Sequence, residues 1–227
     1  MKFLNLFSKG QKKSVVYSPL SEEGFRDLLL FSEGKEIKPR LPSLIGEKVL
    51  EISPRHKPLT SLFKKEGAAI VMRLGGTREK EIARIEGEIF ILSHWESLPF
   101  LDHSFDCIVL RTAFLKGNIS RLLREASRVL KPEGLLIMSD LHPFSLGVQQ
   151  EHLKSPVGEE SLGPGFERYF KFFRESGLAL ESVKEMFYDG SIKKFFESDS
   201  GKKTFESLRK TPFLIFFFLR MGRLGKD

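Results

Sequence analysis

Five short apolar runs, "VLEI" from Val49, "AAIVMRL" from Ala68, "EIFIL" from Glu88, "FDCIVLR" from Phe105 and "LLIMSD" from Leu135, recur along one stretch of the chain. Each is too short for a helix and apolar almost throughout, the pattern of a strand covered on both faces. Segments with helix or turn character separate them. "PLTSLFKKEG" reads as a short helix stopped by Gly67, and "GGTREKEIARIEG" as a turn and weak helix. "NISRLLREASRVLKPEG" reads as a helix capped by Asn118, with Ile119, Leu122, Leu123, Ala126, Val129 and Leu130 on its apolar face. Strands that alternate with helices require crossover connections, and those build a parallel sheet. Beyond the fifth run, "GFERYFKFFRESG" reads as a helix, and "LALESVKEMFYDG" and "TPFLIFFFLRM" as two more strands. The expected fold class is α/β: a Rossmann-like doubly wound sheet, mostly parallel, with an antiparallel terminal strand and a ligand at the carboxyl ends of the strands.

The 227 residues and 26.0 kDa suit one such domain with additions. Residues 47–227 form the expected domain. Residues 1–46 form an N-terminal arm plus a helix that begins at the cap Ser21 and ends at Gly34, and a lid follows the fifth strand at about 143–165. No run reaches the roughly 20 apolar residues of a membrane span. The N-terminal "MKFLNLFSKGQKK" lacks the core and cleavage site of a signal peptide, so a cytoplasmic location is expected. One cysteine, Cys107, excludes an internal disulfide, and His56, His94, His103, His142 and His152 lack metal-ligand spacing. The net charge of +7 is spread along the chain and is not gathered into a nucleic-acid module.

The segment "ESLPFLDHSFDCIVLRTAFLKGNISRLLREASRVLKPEGLLIMSD", Glu96 to Asp140, resembles the central signature of class I S-adenosylmethionine-dependent methyltransferases, of the type 11 kind. The family shows Leu-Pro-Phe, Ser-Phe-Asp before a buried strand, a helix ending in Arg-Val-Leu-Lys-Pro-Gly-Gly, and a strand ending in Ser or Asp. The resemblance implies S-adenosylmethionine as cofactor and a small or carrier-bound acceptor. It also implies a cofactor site at Glu51, Ser53, Arg55, Leu74, His94, Trp95, Glu96 and Arg111, with Asp140 and His142 beside the acceptor.

Within that resemblance the cofactor contacts depart from the family pattern. Glu51 matches the acid that ends the first strand, but Ser53, Arg55 and Lys57 replace the glycines of the turn after it. Arg73 and Leu74 stand where an acid would accept the ribose hydroxyls, and His94 and Trp95 replace the Asp-Ala beside adenine. "SPRHKP" is either a remodelled anion site or a solvated basic turn, and Trp95 is either an aromatic platform or a plug. His142 is either a general base or part of a turn stiffened by Pro143. Arg111 clamps an acidic substrate or pairs with Glu96 or Asp140. Two functions follow. One is methyl transfer to a small or carrier-bound acceptor; the other is a degenerate member that acts as a binding or scaffold module, with a protein among its partners.

Overall fold

The computed structural model describes residues 20–53, 57–75, 88–112, 118–145 and 166–222. Seven strands form one sheet: β1 (Lys48–Ile52), β2 (Ile70–Gly75), β3 (Glu88–Leu92), β4 (Phe105–Arg111), β5 (Leu130–Leu141), β6 (Leu178–Phe187) and β7 (Pro212–Met221). Their order is β3-β2-β1-β4-β5-β7-β6. The first five run parallel, and β7 enters antiparallel between β5 and β6. This is the doubly wound, mostly parallel sheet expected from the apolar runs. The order reverses between β1 and β4, which places the crevice for a ligand at the carboxyl ends of those strands.

Alternation along the strands divides the core into two layers. Val49, Val71, Val109 and Ile137 point to one face, together with Phe25, Leu28 and Leu29 of α1 (Glu22–Ile37) and Phe63 of α2 (Thr60–Lys65). Leu50, Leu74, Leu110 and Met138 point to the other, against Leu122, Leu123 and Ala126 of α3 (Ile119–Val129) and Tyr169 and Phe173 of α4 (Phe166–Glu175). Phenylalanine, present in 22 copies, contributes to both layers. Phe216 and Phe218 of β7 enter the first layer and Phe217 enters the second.

The boundaries differ from the sequence reading in three places. α1 is capped by Ser21, whose Oγ accepts from the Gly24 N–H, but it runs through Gly34 to Ile37 because Ile37 belongs to its buried face. α3 ends one residue early: Leu130 already pairs with Phe105 as the start of β5. A fifth helix, α5 (Asp199–Leu208), capped by Ser198, was not foreseen; it buries Phe205 and Leu208 in the first layer. The N-terminal arm, the "GGTREKEIARIEG" turn, the middle of "SPRHKP" and most of the lid at 143–165 lie outside the described residues. Cys107 is fully buried, and burial pushes its thiol up to about 12, as befits a core residue rather than a nucleophile. No described helix is long and apolar enough to cross a membrane.

Candidate functional site

The period-2 alternation of the strands decides which side chains meet at the carboxyl edge. Glu51, Arg73, Arg111 and Ser139 follow Val49, Val71, Val109 and Ile137 by two residues each, so all four project towards α1 and α2. All four are buried, three of them completely and Arg73 to 99%.

Arg111, the last residue of β4, is the hub. Its Nε and Nη2 donate to Glu33 Oε2 at 2.8 and 2.5 Å; its Nη1 donates to Glu51 Oε1 at 2.8 Å and to the Lys57 carbonyl at 2.5 Å. Burial opposes the charge of Arg111, but the pull of Glu33 and then Glu51 outweighs it and holds the guanidinium above its ordinary range. Ser139 Oγ donates to Glu33 Oε1 at 2.5 Å, and the Leu59 N–H donates to both Glu51 oxygens at 3.1 and 3.0 Å. The family's acid at the end of β1 is thus committed to holding its own turn and β4. Ser53 beside it is buried, and its Oγ has no hydrogen-bond partner among the described residues. Lys57 swings outwards to Asp27 and Glu23 of α1.

Where the family places its ribose-binding acid, Arg73 forms a two-point pair with Glu88 of β3: Nε to Oε2 at 3.0 Å and Nη2 to Oε1 at 2.8 Å. Thr60 Oγ1 adds a donor to Glu88 Oε2, and the Phe90 ring lies under the guanidinium at 4.5 Å. Leu74 is fully buried in the second layer. In the loop after β3, His94 is exposed, and Trp95 is half-buried against the second layer. Glu96 caps α3, accepting from the Asn118 N–H at 3.1 Å and pairing with Arg121.

At the end of β5, Asp140 Oδ2 accepts from the buried Tyr169 hydroxyl at 2.6 Å and Oδ1 from the Leu141 N–H at 2.7 Å. Burial pushes the Asp140 carboxyl up, and the Tyr169 hydrogen bond only partly offsets this. The Tyr169 phenol is itself pushed well above its usual range by burial. His142 is fully buried: its Nε2 lies 2.8 Å from Glu185 Oε1 and its Nδ1 faces the Phe144 N–H at 3.3 Å. The Phe144 and Phe166 rings flank it, and Phe144 is itself largely exposed.

These contacts correct several sequence expectations. Arg111 pairs with neither Glu96 nor Asp140, because its side chain leaves the sheet on the opposite face from Asp140, whereas Glu96 is engaged by Arg121. His142, expected either as a general base or as part of a turn, has its Nε2 beside Glu185 and its Nδ1 facing the Phe144 N–H. Arg55 lies outside the described residues. Glu33, Glu88 and Tyr169 were missed. For Glu33 a signal existed: it falls at helical spacing on the stripe Phe25, Leu28, Leu29, Ile37, where a carboxylate requires a buried partner. Among the described residues no group of three or more His, Cys, Asp or Glu side chains could hold a metal.

Residues 70–138 match the family model of a methyltransferase domain. Over that region the sequence is similar to methyltransferases, and the sheet has the fold of class I S-adenosylmethionine-dependent methyltransferases. Among curated relatives the chain is 34% identical over 101 residues to the glycine/sarcosine/dimethylglycine N-methyltransferase of Actinopolyspora halophila, covering 40% of this chain and 18% of that one. It is 33% identical over 102 residues to the demethylmenaquinone methyltransferase of Thermotoga maritima, covering 43% of this chain and 44% of that one. The matched region thus spans less than half the length of either. A solved methyltransferase of Mesorhizobium loti superposes with a TM-score of 0.61 at 15% identity, over 83% of this chain and 97% of that one. One chain of the complex containing the Haloferax volcanii Trm112 methyltransferase activator superposes with a TM-score of 0.64 at 17% identity, over 89% and 94%.

The described residues do not fit S-adenosylmethionine held in the family's manner. The acid at the end of β1 accepts from Arg111 and Leu59, and the position that would hold the ribose carries Arg73 locked to Glu88. Among the described residues a ribose placed there meets the Arg73 guanidinium, a donor, where the family offers a carboxylate, and each hydroxyl left unpaired costs about 1–3 kcal/mol.

Proposed function

We propose that this chain is a methyltransferase-fold binding module: it recognises a small or carrier-bound molecule at the carboxyl edge of its sheet and does not transfer a methyl group from S-adenosylmethionine seated in the family's manner. The observation that carries this reading is the commitment of Glu51 to Arg111, with Glu33 on the same guanidinium. The ligand class is drawn from the relatives, whose names specify glycine, sarcosine and demethylmenaquinone as the molecules they act on. The aromatic wall of Phe144 and Phe166 beside β5 suits a ligand with an apolar part.

A second reading is methyl transfer itself, favoured by the match over residues 70–138 to a family of enzymes. Incubating the purified chain with methyl-labelled S-adenosylmethionine and pools of small amines, phenols and quinols separates the two. The binding-module reading expects no label in any acceptor fraction. Label appearing in an acceptor, and lost with Asp140→Ala, would replace it with the second.

A further inference from the structure

The buried stripe of α1 carries one anomaly. Phe25, Leu28, Leu29 and Ile37 pack into the first layer, and Glu33 is fully buried among them. A carboxylate is taken out of water only where donors replace the water it loses. Here the donors come from the sheet. Arg111 offers Nε and Nη2 along one edge of its guanidinium, both to Oε2, and Ser139 offers its hydroxyl to Oε1. The other arm of Arg111 is held independently by Glu51 and the Lys57 carbonyl, and Glu51 in turn by the Leu59 N–H. The guanidinium is therefore fixed in place by groups other than Glu33. With the Glu33 side chain taken away, three donors from β4 and β5 would still converge on one point, at the strand ends where ligands of doubly wound sheets bind.

We propose that Arg111 and Ser139 form a carboxylate-binding site at the carboxyl edge of the sheet, and that Glu33 of α1 is its internal ligand. The ligand class is a small monocarboxylate, or the carboxylate of a larger molecule, and it would compete with Glu33 for the same donors. The proposal builds on the reading that this edge is held by the chain's own groups. Its test is independent of S-adenosylmethionine, so either can fail alone.

The test is chemical rescue. Glu33→Ala removes one methylene and the carboxylate, which together have the shape of acetate. The variant's thermal unfolding is followed in acetate and in chloride at equal ionic strength. In chloride its Tm falls well below wild type. In acetate more than half of that loss returns, by a shift that grows with the logarithm of acetate concentration. Wild type, Glu33→Gln, which keeps the space filled, and the double variant Glu33→Ala with Arg111→Met show no acetate-specific shift. If Glu33→Ala does not fold in chloride, recovery of the folded state on refolding in acetate serves as the same readout. Identical behaviour of Glu33→Ala in the two salts, or an equal acetate shift in the double variant, would overturn the proposal.

Discussion

Two buried arginines stand towards the carboxyl ends of β2 and β4, the strands that flank β1, on the same face of the sheet, and they do different work. Arg73 reaches one strand sideways to Glu88, a partner 15 residues away on the sheet's edge strand, within a pair that Thr60 of α2 completes. Arg111 reaches Glu33 and Glu51, 78 and 60 residues away, and also the turn before α2, so that α1, β1, β4 and, through Ser139, β5 share one network. The first secures an edge locally. The second closes the centre of the fold where the strand order reverses. Both stand at or beside positions where the family binds its cofactor.

The comparison predicts unequal costs. Arg111→Met leaves Glu33 and Glu51 buried without their cation and should cost about 3–5 kcal/mol in urea unfolding. Arg73→Met should cost less, about 1–3 kcal/mol, because only one carboxylate, Glu88, loses its cation and it keeps the Thr60 hydroxyl. Equal losses would mean that the long-range network adds nothing over a local pair. Replacing Glu33, Glu51 and Arg111 together by Met, Leu and Met in any compatible order should be milder than Arg111→Met alone, since no uncompensated charge remains. A triple variant worse than the single one would show that shape rather than charge balance holds the edge.

The smallest expected effect lies on the opposite face of the sheet. Burial raises the Asp140 carboxyl above its ordinary range in the folded state, so the native state binds that proton more tightly than the unfolded one. Its contribution to stability is fully present below the unfolded value and is lost as pH rises through the raised folded value. The difference in unfolding free energy between wild type and Asp140→Asn should fall across that window and be flat above it. A difference that rises with pH would mean that the Tyr169 and Leu141 hydrogen bonds outweigh burial.

The strands, their direction and the antiparallel end were legible because apolar runs bounded by turns carry that information locally. The site was legible only in part. The substitutions at Ser53, Arg73 and Leu74 could be read against the family motif as departures from it. The place of Glu33 on the apolar stripe of α1 called for a buried partner, but that the partner is Arg111 could not be read, because the two are joined by nothing nearer than the finished fold. α5 was passed over because Asp199 to Leu208 opens with Asp, Ser and Gly, weak helix formers that only the Ser198 cap and the burial of Phe205 and Leu208 sustain.

The most direct test of the account is calorimetric titration of the wild-type chain with S-adenosylmethionine and S-adenosylhomocysteine. A site closed by Arg111, Glu33 and Glu51 on one side and by Arg73 and Glu88 on the other predicts no saturable heat at millimolar ligand. A saturable isotherm with a micromolar dissociation constant, about −8 kcal/mol, would contradict it and show that these ion pairs open to admit the cofactor.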